Sequence, residues 1–233
     1  MSFPSITRWM YRPLPALVAA LLAASSPALA QQDAAALWAI SFPRESSPVR
    51  EWMRDNSITL GKGSVSGWKI SEGALYMQAS GVSTELDIRF VQPISVSKTS
   101  RIEFVYKVIS VPAGADLRIK EKEDSAFRVF VAFNKAAKYM FVMDVPDSIA
   151  YSHGTATLEG AQFKFERFAN VFGVVTGAGA KDDWIKASRN LYSDYKGLFN
   201  EEPPAIIGVK IKIDSNNTGG LARTYLRALR ITK

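Results

Sequence analysis

Residues 101–109, RIEFVYKVI, alternate with period two: Ile102, Phe104, Tyr106 and Val108 on one side, Arg101, Glu103 and Lys107 on the other. Successive side chains of a strand point to opposite faces, so the pattern describes a strand with one packed and one wet face. Residues 206–214, IIGVKIKID, repeat it, with Val209, Ile211 and Ile213 opposite Lys210 and Lys212. Such strands belong to antiparallel sheets that bury one face against a second layer. Residues 66–80 read as a hairpin turning at Ser71-Glu72-Gly73, where glycine permits the tight reversal. The runs 127–133 (FRVFVAF) and 138–145 (KYMFVMDV) are apolar on both faces and read as central strands. Residues 163–168, 170–177 and the C-terminal ARTYLRALRITK add further strands.

One segment departs from period two. Leu191, Tyr195, Leu198 and Phe199 recur at helical spacing, Gly197 keeps that helix short, and Pro203-Pro204 stops it. Nine or ten strands with no strand–helix alternation predict an all-β fold: an antiparallel β-sandwich of jelly-roll or concanavalin-like type, with one short helix near 189–199.

The first thirty residues have a different character. Arg8 and Arg12 precede the apolar run PALVAALLAA, and Ala28-Leu29-Ala30 supplies small residues for cleavage, which is the pattern of a secretory signal peptide over 1–30. The run is well short of the roughly 20 residues a membrane-spanning helix needs. Cleavage there leaves a periplasmic or secreted chain with no transmembrane segment. Residues 31–57, interrupted by Pro43 and Pro48, read as a lead-in arm open to contributing an edge strand, and 58–233 as one sandwich domain. The leader carries two arginines and no acid, so the remainder keeps 27 basic against 22 acidic residues. That mild surplus suits an acidic polymer or simple solubility, and no basic run argues for nucleic acid. The chain has no cysteine, which excludes disulfides, thiolate metal sites and a cysteine nucleophile.

The stretches KEKEDSAFRVFVAFN (120–134) and DWIKASRNLYSDYKGLFNEEPPAIIGVKIKIDSNNTG (183–219) resemble the DUF3047 family of exported bacterial proteins. The matching positions are Asp124, Arg128, Val129 and Val131; Trp184, Arg189, Asn190, Asp194, Tyr195, Phe199 and Pro204; and Asp214, Asn217 and Thr218. The resemblance spans roughly residues 66–233. Glu123, Asn216 and Tyr225-Leu226-Arg227-Ala228 depart from the family pattern. It implies a β-sandwich and a set of site residues, but no reaction.

Four groups of residues carry chemical content. Asp214, Ser215, Asn216, Asn217 and Thr218 offer hard oxygens of the kind Ca²⁺ takes, and are equally what a strand-ending turn needs. Glu123 and Asp124 form a carboxylate pair suited to acid/base work or to surface ion pairing. Arg128, on a central strand, needs a carboxylate, for which Asp214 or Asp194 are the candidates. Trp184, Arg189, Asn190, Asp194 and Tyr195 combine rings with planar donors, as sugar binding does, or else close the core. His153 is the one histidine and reads as a loop residue, so no Ser-His-Asp set is in view. The expected ligand-binding set is Asp124, Arg128, Trp184, Arg189, Asn190, Asp194, Asp214 and Asn217. The expected function is non-catalytic binding of a carbohydrate or another cell-envelope polymer. The alternatives are a glycan-acting hydrolase or lyase using Glu123, Asp124 or Asp194, and a ligand-free envelope scaffold.

Overall fold

The computed structural model describes residues 35–140, 143–155 and 159–233. The signal peptide expected over residues 1–30 lies outside the described residues. In chain order the elements are β1 (Ala36–Ser41), α1 (Val49–Asp55), β2 (Thr59–Lys62), β3 (Lys69–Ser71), β4 (Ala74–Ser80), β5 (Ser83–Ile94), β6 (Arg101–Ser110) and β7 (Ser125–Tyr139). Then follow β8 (Met143–Gly154), β9 (Gln162–Lys164), β10 (Val171–Ala178), β11 (Lys181–Asn190), α2 (Leu191–Phe199), β12 (Ile206–Asp214) and β13 (Leu221–Thr232).

They form two sheets. One runs β11-β6-β13-β4-β3, with β1 also on β13; the other runs β2-β5-β12-β7-β8-β10-β9. Every pairing is antiparallel except β8 with β10. The alternation read in β6 is the burial pattern observed: Ile102, Phe104, Tyr106 and Val108 are buried and their neighbours partly exposed. Phe127, Val129, Val131 and Phe133 of β7 and Ile211 and Ile213 of β12 are fully buried in the same core. Tyr106 stacks on Phe127 with ring centroids 4.7 Å apart, and Phe104 lies 5.7 Å from Phe127. The β3–β4 hairpin turns at Glu72 (φ 54°) and Gly73 (φ 73°), the two-residue left-handed turn that suits the twist of an antiparallel pair.

Three expectations change. Residues 138–145 are not a central strand: β7 ends at Tyr139, β8 starts at Met143, and Met140 (70%) and Met143 (47%) are exposed. The central strand is β8, whose second half is buried on both faces and carries Asp147, Ser148, Ser152 and His153. His153 is therefore a core residue and not a loop residue. A second helix, α1, lies inside the segment read as an arm, and Val49, Trp52 and Met53 on it join the core with Ile40 and Phe42. Among the described residues no helix is long and apolar enough to cross a membrane.

Candidate functional site

The eight residues singled out from the sequence fall in three places. The first is the end of the seven-stranded sheet. Asp124 accepts from the Asn217 N–H (3.1 Å), the Thr218 N–H (2.7 Å) and Thr218 Oγ1 (2.7 Å), and Asn217 Nδ2 donates to the Lys120 carbonyl. Asp214 pairs with Lys212 at 2.5 Å. The oxygen-rich stretch is thus a turn tied down by a carboxylate ninety residues earlier. Arg128 is 1% exposed. Its Nε donates to Ser152 Oγ (3.0 Å) and its Nη2 to the Glu123 carbonyl (2.8 Å), and its guanidinium lies 5.1 Å from the Phe165 ring. Asp214 contributes the largest favourable negative charge, followed by Glu123 and Asp124, while burial pulls the guanidinium pKa down. Burial also raises the Glu123 carboxyl.

The second place is α2. Asn190 caps it, its Oδ1 accepting from the Ser193 N–H at 2.8 Å. Arg189 grips Asp194 through Nε (3.0 Å) and Nη2 (2.6 Å), and Tyr151 donates to the same carboxylate at 3.0 Å. That bidentate pairing raises the Arg189 pKa, and burial puts the Tyr151 hydroxyl well above its ordinary value. Tyr151 and Ser152 are neighbours on β8 and so point to opposite faces of the sheet. The Asp194 group therefore lies on the core side and the Arg128 group on the outer side. They do not share a cleft. Among the described residues no group of three or more His, Cys, Asp or Glu side chains is placed to hold a metal.

Trp184 stands alone of the eight, 36% exposed on the outer face of the six-stranded sheet. It borders a groove of about 650 Å³. Across this face Lys69, Tyr76, Tyr225 and Lys107 stand directly opposite one another on β3, β4, β13 and β6. Three inter-strand steps of roughly 4.8 Å make the row about 14 Å long. The Tyr76 and Tyr225 rings are 5.0 Å apart, and Trp184 meets Tyr225 edge-on at 6.5 Å. Lys107 Nζ lies 5.3 Å from the Tyr225 centroid and 5.7 Å from that of Trp184, and pairs with Asp182 at 2.8 Å. Arg227 stacks 3.7 Å from the Trp184 centroid.

Register irregularities build this groove. Ile109 is an extra residue on β6 between the pairs Arg223–Ser110 and Thr224–Val108, and Arg227 is an extra residue on β13 between Leu226–Tyr106 and Ala228–Val105. On β11 the pairing slips between Lys181 and Ile185, across Asp182 and Trp184. A bulge re-aims a side chain out of the regular alternation, and bulges concentrate beside binding sites.

A family model described as a protein of unknown function, DUF3047, matches residues 63–230. The chain belongs to the DUF3047 family. No curated protein matches the sequence. Three solved structures are similar to this DUF3047 protein at low identity. The carbohydrate recognition domain of Emp46p in its potassium-bound form is 10% identical with a TM-score of 0.40, over 82% of this chain and 95% of that one. The xyloglucanase domain of NopAA from Sinorhizobium fredii, in complex with cellobiose, is 8% identical with a TM-score of 0.41, over 85% and 99%. TmCBM61 with β-1,4-galactotriose is 8% identical with a TM-score of 0.31, over 81% and 87%.

Within the DUF3047 match lie all the residues that line the groove, and of the eight residues selected from the sequence only Trp184 stands beside it. Tyr76, Lys107, Arg223 and Tyr225 come from three strands, and only the strand pairing brings them together. A second cavity, about 490 Å³, lies under the loop at Lys164–Asn170. Of its lining, Asn170 Nδ2 donates to the Val145 carbonyl and to Asp147, Lys138 pairs with Asp144, and the Phe165 ring lies against the Arg128 guanidinium.

Proposed function

We propose that this DUF3047 protein is an exported, non-catalytic binding module that holds a carbohydrate chain on the outer face of its six-stranded sheet. The observation that carries the reading is the row Lys69–Tyr76–Tyr225–Lys107 with Trp184 at its flank, in a groove framed by strand bulges. Flat rings take the apolar faces of sugars, and amide, ammonium and guanidinium donors take their hydroxyls. Strand backbones hold these side chains, so little ordering is left for the moment of binding.

Catalysis finds less support. Hydrolysis by two carboxylates needs a facing pair. Asp124 is spent on its turn and Asp194 on Arg189 and Tyr151. The groove is lined by a single carboxylate, Asp182, itself ion-paired. The scaffold reading draws on those same satisfied pairs, but it gives no role to the aromatic row.

Titration calorimetry against a panel of neutral and acidic oligosaccharides tests the proposal. Binding is expected for the full chain and a loss of about tenfold or more in Trp184→Ala and Tyr225→Ala, with melting temperatures close to the parent. Absence of heat with every glycan would remove the reading, and release of reducing ends would replace it with the hydrolase.

A further inference from the structure

Resting on that reading, we propose that the bound chain is acidic: a uronate-bearing glycan whose carboxylates are taken by Lys107, Arg223 and Arg227. The argument comes from how the molecule treats its cations elsewhere. Further along the same face Arg230 pairs with Glu103 at 2.6 Å, and Ser188 bridges Glu103 to Arg101. On the opposite sheet Lys210 pairs with Glu85 and Asp87, and Lys212 with Asp214. These cations are matched with acids on the same or the adjacent strand.

The groove differs. Lys69, Lys107 and Arg223 line it against the one carboxylate of Asp182. That carboxylate is 83% exposed, and an ion pair held so openly contributes little and yields readily to a competing anion. Arg223 is half-buried, and its Nε finds no hydrogen-bond partner among the described residues. A buried donor left unmade is unfavourable, which marks the Arg223 guanidinium as a group awaiting an acceptor. Arg227 is held by the face of Trp184. Stacking uses the guanidinium plane and leaves its in-plane N–H donors for a planar anion. Rings that orient cations, with the exposed Asp182 as the single acid lining the groove, describe a surface for a polymer that brings its own carboxylates.

The test compares oligogalacturonate with the same oligomer methyl-esterified, so that only the carboxylate charge differs, using the full chain in low-salt buffer. The acid form is expected to bind about tenfold or more tightly than the ester, and high salt is expected to erase the difference. Arg227→Gln, at an exposed position, and Arg223→Gln are each expected to lower affinity for the acid form while leaving the ester nearly unchanged. Trp184→Ala is expected to weaken both. Equal affinity for acid and ester would overturn this inference and leave carbohydrate binding standing. No binding to either, or to any glycan of the wider panel, would overturn both. Single-stranded oligothymidylate binding as tightly as oligogalacturonate would overturn it in favour of a general polyanion site.

Discussion

Two buried polar residues show how much of this protein's polar chemistry holds the fold together. Asp124 organises a turn from across the molecule, accepting from the Asn217 and Thr218 N–H groups and from the Thr218 hydroxyl. His153 does comparable work between the sheets. It is fully buried, its Nε2–H donates to the Gly179 carbonyl at 2.7 Å, and its Nδ1 accepts from the Tyr106 hydroxyl at 3.0 Å. Desolvation lowers its pKa from 6.5 to about 4, and burial lifts Tyr106 to about 12. A base with a lower pKa folded than unfolded binds its proton preferentially when unfolded. The stability it supports is intact above pH 6.5, erodes as the pH falls through that value, and levels off below about 4. The interval corresponds to roughly 3 kcal/mol. Urea unfolding of the parent and of His153→Gln from pH 7 to pH 4 should show the gap between the two proteins narrowing as the solution is acidified. Parallel profiles would show that the imidazole does not titrate against folding.

Among the elements, β9 is a short edge strand that pairs only with β10. It has three residues and is anchored by the Phe163 ring lying flat on Gly173 of β10. A Cβ at position 173 would stand 2.0 Å from that ring, so the glycine is required by the close approach and not by backbone conformation. Gly173→Ala should lift the ring, at a cost of about 1–3 kcal/mol. Amide exchange at 162–168 should speed up while β7 and β12 stay protected. Unchanged exchange in that segment would mean the ring adjusts in place. Which elements were legible in the sequence follows from their surroundings. β6 and β12 have one wet and one dry face, so their alternation was plain. β8 is buried on both sides and fills its positions with Asp147, Ser148, Ser152 and His153, whose partners come from elsewhere in the chain or from their own strand. Tyr195 of α2 and Asn170 donate to Asp147, Arg128 of β7 donates to Ser152, His153 donates to the Gly179 carbonyl, and Ser148 donates back to the Pro146 carbonyl. Such a strand reads as a loop until its partners are known.

At the scale of the whole molecule, the segment before Ile58 belongs to the sandwich. β1 completes the edge of β13 beyond the reach of β4, and Ile40, Phe42, Trp52 and Met53 are core residues, Phe42 and Trp52 in ring contact at 4.8 Å. Burying four such side chains contributes roughly 6–12 kcal/mol, comparable with the whole stability of an ordinary domain. A chain starting at Ile58 should therefore lose its near-ultraviolet circular dichroism and its cooperative melt, and retention of both would make the segment a true appendage. The sandwich was readable from strand periodicity, but the groove was not. Tyr76, Lys107, Trp184 and Tyr225 are contributed by four strands scattered along the chain, and register slips of one or two residues leave no trace in hydropathy.

The extra residue on β13 serves the outer face and is not needed by the core. Leu226 points inward before it and Leu229 and Ile231 point inward after it, because Arg227 absorbs one position of the pleat. Deleting that arginine would close the bulge into regular alternation, leaving Leu226, Leu229 and Ile231 inward and removing only the cation stacked on Trp184. The edge that β1 shares would keep its register, so the protruding side chain at 227 can be gained, exchanged or lost without rewriting the layer beneath it.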